Sequence, residues 1–167
     1  ARVDVSGDTG GGKALIGGDY MGGNGDAVTI ARNSIIMEAK PLPTSQFAFM
    51  ADTASIYAAA ITSGKGGKVI VWADEATRAY GSIFARGGAN GGDGGFIETS
   101  GKNFLDVGRA PDASAAKGKG GTWLLDPRNV VISTSTSNGS FDGASPNIFT
   151  PSADDAWVNR DTIQTAL

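Results

Sequence analysis

The stretch GDTGGGKA, residues 7–14, contains a run of glycines followed by Lys13. Glycine-rich loops that carry a lysine bind the phosphates of nucleotides. A phosphate-binding loop also needs a Ser or Thr after the lysine to hold magnesium, and it lies between a strand and a long helix. Ala14 stands at the hydroxyl position, and Gly17-Gly18 interrupts the chain where the helix should run. The stretch therefore predicts a turn, with Lys13 as the solvated first residue of a strand.

Two other glycine-rich stretches resemble calcium-binding nonapeptides: 22–30 and 87–95. That repeat places an aspartate at its sixth position and stacks tandem copies. Asp26 arrives one position early, Asp93 arrives one position late, and neither stretch is repeated in tandem. Both are interpreted as turns, and no metal site is predicted.

Adjacent carboxylates occur at Asp74-Glu75 and at Asp154-Asp155. Cleavage of a polysaccharide needs two carboxyl groups that flank the scissile bond at a set separation. Neighbouring residues on a strand point to opposite faces, so neither pair meets that requirement by itself. We interpret both as solvated or loop-capping residues, and no catalytic residue is assigned.

The larger aromatic residues could stack on sugar rings, but single aromatics beside apolar strand residues more often pack in a core or at the end of a coil. Packing is the interpretation that we prefer. These residues are Trp72, Trp123, Trp157, Tyr20, Tyr57 and Tyr80.

The composition of the chain excludes further classes of function. The chain of 167 residues has no His and no Cys, which removes the usual general base, the usual zinc ligands and disulfides. The net charge is −3, and the sequence has no basic patch of the kind that nucleic-acid-binding proteins present. The longest apolar run, Phe47 to Ile61, is too short to span a bilayer and is broken by Asp52. We expect no cofactor, no nucleic acid and no membrane-spanning segment. No signal peptide is visible at Ala1, so an interior or mature segment of a longer protein is expected.

Glycine, at 26 residues, marks a repeat. A Gly-Gly pair directly precedes each of four short apolar stretches, KALI, KVIVWA, FIETS and TWLLD. The second glycines of the last three pairs are 28 and 26 residues apart, and the first pair lies 55 residues before the second. The period is therefore near 27 residues.

Alignment on the glycine pairs predicts which face of each strand is buried. The second position holds Ala14, Val69, Ile97 and Trp123, and the fourth holds Ile16, Val71, Thr99 and Leu125. The first and third positions are mixed in character, so one face is expected to be buried. Val69, Val71, Ile97 and Leu125 should point inward, and further strands should precede the pairs around Ile56 and Ile83.

A unit of about 27 residues cannot bury its own apolar face, but stacked units can pair each strand with its counterpart one turn along. The expected fold is all-β, a parallel β-solenoid with little or no α-helix. Glycine at the corners would supply positive φ angles and would let neighbouring backbones approach closely.

Two stretches, 64–107 (GKGGKVIVWADEATRAYGSIFARGGANGGDGGFIETSGKNFLDV) and 115–132 (AAKGKGGTWLLDPRNVVI), resemble a known family. They are similar to the large exoproteins of bacterial two-partner secretion, the filamentous-haemagglutinin-like or haemagglutination-activity group. The resemblance covers most of residues 7–132. IGGDY at 16–20 and PLPTSQF at 41–47 also fit the family pattern, and residues 21–40 between them look like an insertion.

The resemblance implies a right-handed parallel β-helix, exported through an outer-membrane partner transporter and secreted or held at the surface of a Gram-negative bacterium. It implies a non-enzymatic adhesive shaft, with host-cell or neighbouring-cell glycans or proteins as partners. The family's secretion module carries Asn-Pro motifs, which are absent here, so the transporter would recognise another region. A β-helix enzyme acting on polysaccharide, or a scaffold that delivers a C-terminal effector, remains the alternative.

The repeat is expected to end near Ile132. Pro127 cannot donate to a strand ladder, and residues 133–153 are rich in Ser, Thr, Asn, Asp and Pro, as a linker is. Residues 154–167 would begin another module or cap the shaft, with a short helix from Asp161. The predicted domains are therefore a shaft at 1–132, a linker at 133–153 and this terminal segment.

Overall fold

In a computed structural model, the described residues are 1–23, 38, 40, 42–125, 131–133 and 156–159, with the last two stretches described by their backbone. They form short strands and one 3₁₀ turn, Tyr20–Gly23. The strands are β1 (Arg2–Asp4), β2 (Lys13–Ile16), β3 (Phe47–Met50), β4 (Ser55–Tyr57), β5 (Lys68–Ala73), β6 (Ala76–Ala79), β7 (Ser82–Phe84), β8 (Phe96–Gly101), β9 (Phe104–Val107), β10 (Thr122–Leu124), β11 (Val131–Ser133) and β12 (Ala156–Asn159).

From β1 to β9, consecutive strands along the chain enter three different sheets in turn. The first sheet has the order β1-β4-β7, the middle sheet β10-β8-β5-β2 and the third sheet β11-β12-β9-β6-β3. Every strand pair is parallel. The prediction of an all-β fold built from parallel strands is confirmed, and the described residues contain no α-helix.

The register of the middle sheet follows the alignment on the glycine pairs. Ala14 pairs with Val69, Val69 with Ile97, and Ile97 with Trp123. The strands predicted around Ile56 and Ile83 are β4 and β7. The glycine spacing therefore predicted the strand register residue by residue.

One apolar core is shared by all three sheets. It includes Ile56 and Ile83 from the first sheet, Val69 and Ile97 from the middle sheet, and Met50 from the third. The prediction that Val69, Val71 and Ile97 point inward is confirmed, since these three side chains are buried within that core. Leu125, just after β10, is half-buried.

The central strand β5 of the middle sheet is buried on both faces, although the sequence predicted one buried face. Ile70 and Trp72 alternate with the core residues of β5 and are also buried. The Tyr20–Gly23 turn contacts β5 from the outside. A Cβ at Gly18 or Gly22 would lie within 2.7 Å of Trp72 ring atoms, so glycine lets this segment lie against the indole.

The paired glycines act through close backbone approach. A Cβ at Gly67 would lie 2.0 Å from the carbonyl oxygen of Gly12, and a Cβ at Gly95 would lie 2.0 Å from that of Gly67. The expectation that these corners use positive φ is wrong for the pairs, because positive φ occurs at other glycines, such as Gly64 and Gly92. At Gly67 and Gly95, glycine is required because a side chain would occupy the space of the neighbouring backbone.

At the C-terminal end, sheet order departs from chain order, since β12 lies between β9 and β11. The linker predicted at 133–153 falls outside the described residues except for Ser133, and the helix predicted from Asp161 falls outside them entirely. Of the insertion predicted at 21–40, residues 21–23, 38 and 40 are described. Among the described residues, no helix has the length and apolar composition that crossing a membrane requires.

Candidate functional site

An open groove of about 610 Å³ runs over the outer face of the first sheet. We call it the aromatic groove. Arg2, Asp4, Tyr57, Phe84 and Arg86 line it with their larger side chains, and small residues such as Ala59 and Ser114 leave the space open.

The register of the first sheet builds the aromatic part of this groove. Asp4 pairs with Tyr57, Tyr57 with Phe84, and Phe84 forms a bridge with Asp112. The neighbouring residues Ile56 and Ile83 belong to the core, so alternation turns this row outward. The rings of Tyr57 and Phe84 stack with centroids 4.8 Å apart and planes 16° apart. That distance equals the usual spacing of paired strands, so the stack follows from the register.

An arginine lies against each ring. The guanidinium carbon of Arg2 is 4.0 Å from the centroid of Tyr57, and that of Arg86 is 4.8 Å from the centroid of Phe84. Arg2 pairs with Asp4, and Arg86 Nε donates to Asp112 at 2.9 Å. The backbone N–H of Ser6, together with Arg2, holds the pKa of Asp4 below its ordinary value. The groove thus presents hydrogen-bond donors, acceptors and ring edges.

The two carboxylates of this row are too far apart for glycoside hydrolysis. Asp4 and Asp112 are separated by the rungs of Tyr57 and Phe84, three strand spacings of about 4.8 Å each. The resulting separation of their backbone positions, about 14 Å, exceeds the 5–9.5 Å range over which paired carboxyl groups act on a glycosidic bond. The row is suited to binding through hydrogen bonds.

A second polar site, the Lys68 cluster, comprises Lys68, Asp19 and Glu38 on the outer face of the middle sheet. Lys68 Nζ lies 2.7 Å from Glu38 Oε1 and 3.9 Å from Asp19 Oδ1. Lys68 is 7% exposed and Asp19 is 0% exposed. Lys13 Nζ donates to Glu38 at 2.8 Å from the solvent side. Hydrogen bonds from Lys13 and then Lys68 hold the pKa of Glu38 below its ordinary value.

Backbone groups complete this cluster. The N–H of Tyr20 donates to Asp19 Oδ1 at 2.8 Å, and the N–H of Glu38 donates to Asp19 Oδ2 at 2.9 Å. Nearby, the N–H of Met21 donates to both carboxylate oxygens of Glu98, which is fully buried. The cluster therefore joins both described ends of the insertion to β5 and β8.

The glycine-rich stretch at 7–14 lies in turn and strand, as predicted. Gly7 forms a bridge with Ala60, and Ala14 is buried in the core. Lys13 begins β2 as predicted, and its side chain, 60% exposed, reaches Glu38.

The carboxylates that suggested other chemistry hold neighbouring segments together. Asp93 Oδ1 accepts the N–H of Lys119 at 2.8 Å, Asp74 accepts the hydroxyl of Thr44, and Glu75 accepts the amide of Asn103 at 3.0 Å. Within the described part of the chain, no group of three metal-ligating side chains converges. Asp26, Asp154 and Asp155 lie outside the described residues.

The aromatic candidates are distributed over different faces. Trp72 is buried beneath the Tyr20–Gly23 turn, and Trp123 packs against the core while its Nε1 donates to Thr99 Oγ1 at 3.0 Å. Tyr57 lies in the aromatic groove, and Tyr80 lies on the third sheet, where its hydroxyl donates to Asp106. Tyr20 packs edge-on against Phe96. The side chain of Trp157 lies outside the described residues. The described aromatics thus form no common platform.

Sequence reasoning missed both polar sites. The aromatic groove needs residues from β1, β4 and β7, and the Lys68 cluster joins residues far apart in the chain. One signal was available: the outward column of the middle sheet holds Lys68, and the next outward column holds Glu98. Charged residues in a strand flanked by glycine and apolar residues could have indicated a covered polar site.

Comparison with protein-family models and with curated proteins finds no match for this chain.

Proposed function

We propose that this chain is a non-enzymatic, adhesive shaft segment, folded as a right-handed parallel β-helix. The observation that carries the proposal is the rotation of strands β1 to β9 through three parallel sheets, in which each strand pairs with the next one of its own sheet. A stack of this kind repeats its surface at every turn and presents side chains in rows, which suits a spacer that also binds.

Three features support the β-helix. Corresponding strands are about one repeat apart, as when Ser55 pairs with Ser82 and Lys68 with Phe96. Side chains from all three sheets share one core. Crossover connections between parallel strands of one sheet are right-handed in about 98% of cases, which supports the handedness.

The aromatic groove supports the adhesive part of the proposal. Its arginine–aspartate pairs and stacked rings offer donors, acceptors and apolar edges to a ligand at a surface. The resemblance of residues 64–132 to two-partner secretion exoproteins supports export through an outer-membrane transporter and a place at the surface of a Gram-negative bacterium. The partners proposed there are glycans or proteins of a host or neighbouring cell.

The adhesive function is tested with beads that carry the chain, applied under flow to monolayers of epithelial cells and to lawns of Gram-negative bacteria. Wild-type beads should be retained on one of these surfaces, and the double variant Arg2→Ala/Arg86→Ala should lose at least half of that retention. The matched control is Lys65→Ala, an exposed cation that does not line the groove. Retention equal to that of albumin-coated beads would overturn the adhesive function.

The fold and the non-enzymatic character have separate tests. Far-UV circular dichroism should show a β spectrum, and a dominant helical signal would contradict the β-helix. Incubation with a panel of polysaccharides should release no new reducing ends. Release that is lost in Asp4→Asn would favour the enzymatic alternative.

A further inference from the structure

We propose that Lys68 and Asp19 form an intramolecular isopeptide bond, an amide between the lysine Nζ and the aspartate Cγ. The bond would fasten the segment before the Tyr20–Gly23 turn to β5. This modification site is independent of the adhesive function.

The geometry brings the three necessary groups together. Lys68 Nζ supplies the nucleophile, Asp19 supplies the carboxyl group, and Glu38 supplies a proton acceptor. Nζ lies 3.9 Å from Asp19 Oδ1 and 2.7 Å from Glu38 Oε1. Lys68 Nζ therefore lies beside the Asp19 carboxyl group, and attack requires it to come within about 3–3.5 Å of Cγ.

Asp19, and not Glu38, is the carboxyl group that the surroundings prepare for attack. Each oxygen of Asp19 accepts a backbone N–H, one from Tyr20 and one from Glu38. Donors in this position stabilise the negative charge that develops on oxygen in a tetrahedral intermediate. Glu38 is instead bound by two lysine side chains and is partly exposed.

The absence of solvent access favours amide formation over hydrolysis. Asp19 is 0% exposed and the Lys68 side chain is 8% exposed. Trp72 and the Tyr20–Gly23 turn cover the same face of the middle sheet. The product amide carries no charge, so its formation leaves no buried ion at these two positions.

The reaction balances without an external reactant. Glu38 takes a proton from the Lys68 ammonium and passes it to the Asp19 carboxylate, and the freed electron pair of Nζ attacks Cγ of the resulting carboxyl group. The C–N bond forms, Glu38 takes a second proton from Nζ, and the C–O bond breaks as Glu38 gives that proton to the departing hydroxyl, which leaves as water. The net change is one ammonium and one carboxylate converted into one amide and one water, with no oxidation or reduction.

The test is a mass measurement on the whole purified chain under denaturing conditions. The measured mass of the wild type should be lower than the mass calculated from its sequence by one water molecule. Trypsin should not cleave after the acylated Lys68, so residues 14–32 and 66–78 should appear as one branched peptide. Tandem mass spectrometry should place the branch at Asp19 and Lys68.

Four variants distinguish this bond from other reactions that lower the mass of the chain. Lys68→Arg keeps the positive charge but cannot form the bond, so its measured mass should equal the mass calculated from its sequence. In Asp19→Asn, bond formation should release ammonia in place of water, because the amide nitrogen of the asparagine is then the leaving group. Glu38→Gln should accumulate the cross-link at least ten times more slowly. Lys65→Arg is the control and should behave as the wild type.

Three results would overturn the proposal. One is a wild-type chain of full mass that trypsin cleaves after Lys68. Another is a loss of water that persists in Lys68→Arg, since aspartate followed by glycine, as at Asp93-Gly94, can lose water by cyclising on its own backbone. The third is a branch mapped to Glu38, which would reject the assignment to Asp19.

Discussion

At the scale of single residues, the glycines have two different physical roles that composition cannot distinguish. Gly67 and Gly95 permit backbone contact between successive strands of the middle sheet. Gly64 and Gly92 have φ of 96° and 125°, conformations that residues with a Cβ rarely adopt. Gly120, in contrast, has no atom within 4 Å of the position that a Cβ would take.

Gly67→Ala should lower the free energy of unfolding by about 3 kcal/mol or more, because the added Cβ would meet backbone atoms that cannot rotate away. It would lie 2.0 Å from Gly12 O and 2.7 Å from Gly11 C. The matched control Gly120→Ala should stay within about 0.5 kcal/mol of the wild type. Urea unfolding curves for the three proteins measure this, and equal midpoints for both variants would contradict the close-approach explanation.

Tyr80 should ionise above its ordinary pKa of 10.0, because its hydroxyl donates to Asp106 Oδ2 at 2.7 Å and is partly removed from water. The hydrogen bond needs the neutral phenol. Its stabilising contribution is therefore present below pH 10 and is lost as the pH rises through the raised value.

Ultraviolet absorbance of the phenolate, followed from pH 8 to pH 12, measures this titration. Tyr80→Phe should remove the latest-ionising component, and Asp106→Asn should move it to lower pH. A late component that survives Tyr80→Phe would assign the effect to another tyrosine.

At the scale of elements, β5 resembles β8 in having both of its faces covered. Its inner face packs in the shared core, and its outer face lies under the segment that carries Asp19 and the Tyr20–Gly23 turn. Glu38, from the far end of the insertion, binds this face through Lys68 and binds the neighbouring β2 through Lys13. The insertion is therefore anchored to the sheet at both of its ends by polar contacts.

The anchoring of Glu38 predicts a pH dependence. The pKa of Glu38 is lowered from 4.5, chiefly by the hydrogen bond from Lys13, so its ionised form is favoured in the folded state. The contribution of ionised Glu38 to stability is present at pH values above its ordinary pKa, and it is lost as the pH falls through the lowered pKa of the folded state. The melting temperature should fall more steeply between about pH 5 and pH 3 in the wild type than in Glu38→Gln.

Thermal melts at half-unit pH steps, with Lys13→Gln as the partner variant, measure this difference. Lys13→Gln should reduce the acid dependence without abolishing it, because Lys68 Nζ also contacts Glu38. Parallel loss of melting temperature in the wild type and Glu38→Gln would show that Glu38 is not the titrating group.

At the scale of the whole molecule, stability should depend on the shared core and the strand ladders, without a bound metal or nucleotide. Ala14 fills the core position where a phosphate-binding loop needs a hydroxyl, and Asp93 is bonded to the backbone of Lys119. Addition of a chelator, or of ATP with magnesium, should leave the melting temperature unchanged within about 1 °C. A rise of several degrees with ATP and magnesium, or a fall of that size with the chelator, would contradict this, since a ligand that binds only the folded state must stabilise it.

The strand repeat and its register could be read from the sequence because both are local properties. Glycine pairs recur at a period near 27 residues, and alternation of apolar residues marks the inward face. The parallel pairing of Val69 with Ile97 and of Ile97 with Trp123 follows from that period alone, since each strand meets its counterpart one repeat later.

The two polar sites were decided by the tertiary structure. Asp19 and Lys68 approach each other because an irregular segment folds over the outer face of β5, and no period in the sequence encodes that approach. Arg2 and Tyr57 meet because β1 pairs with β4 across an interval lengthened by the insertion. The position of β12 between β9 and β11 is likewise a choice among open sheet edges. Spacing along the chain determines which strands are equivalent, whereas contacts between non-equivalent segments depend on how the whole chain packs.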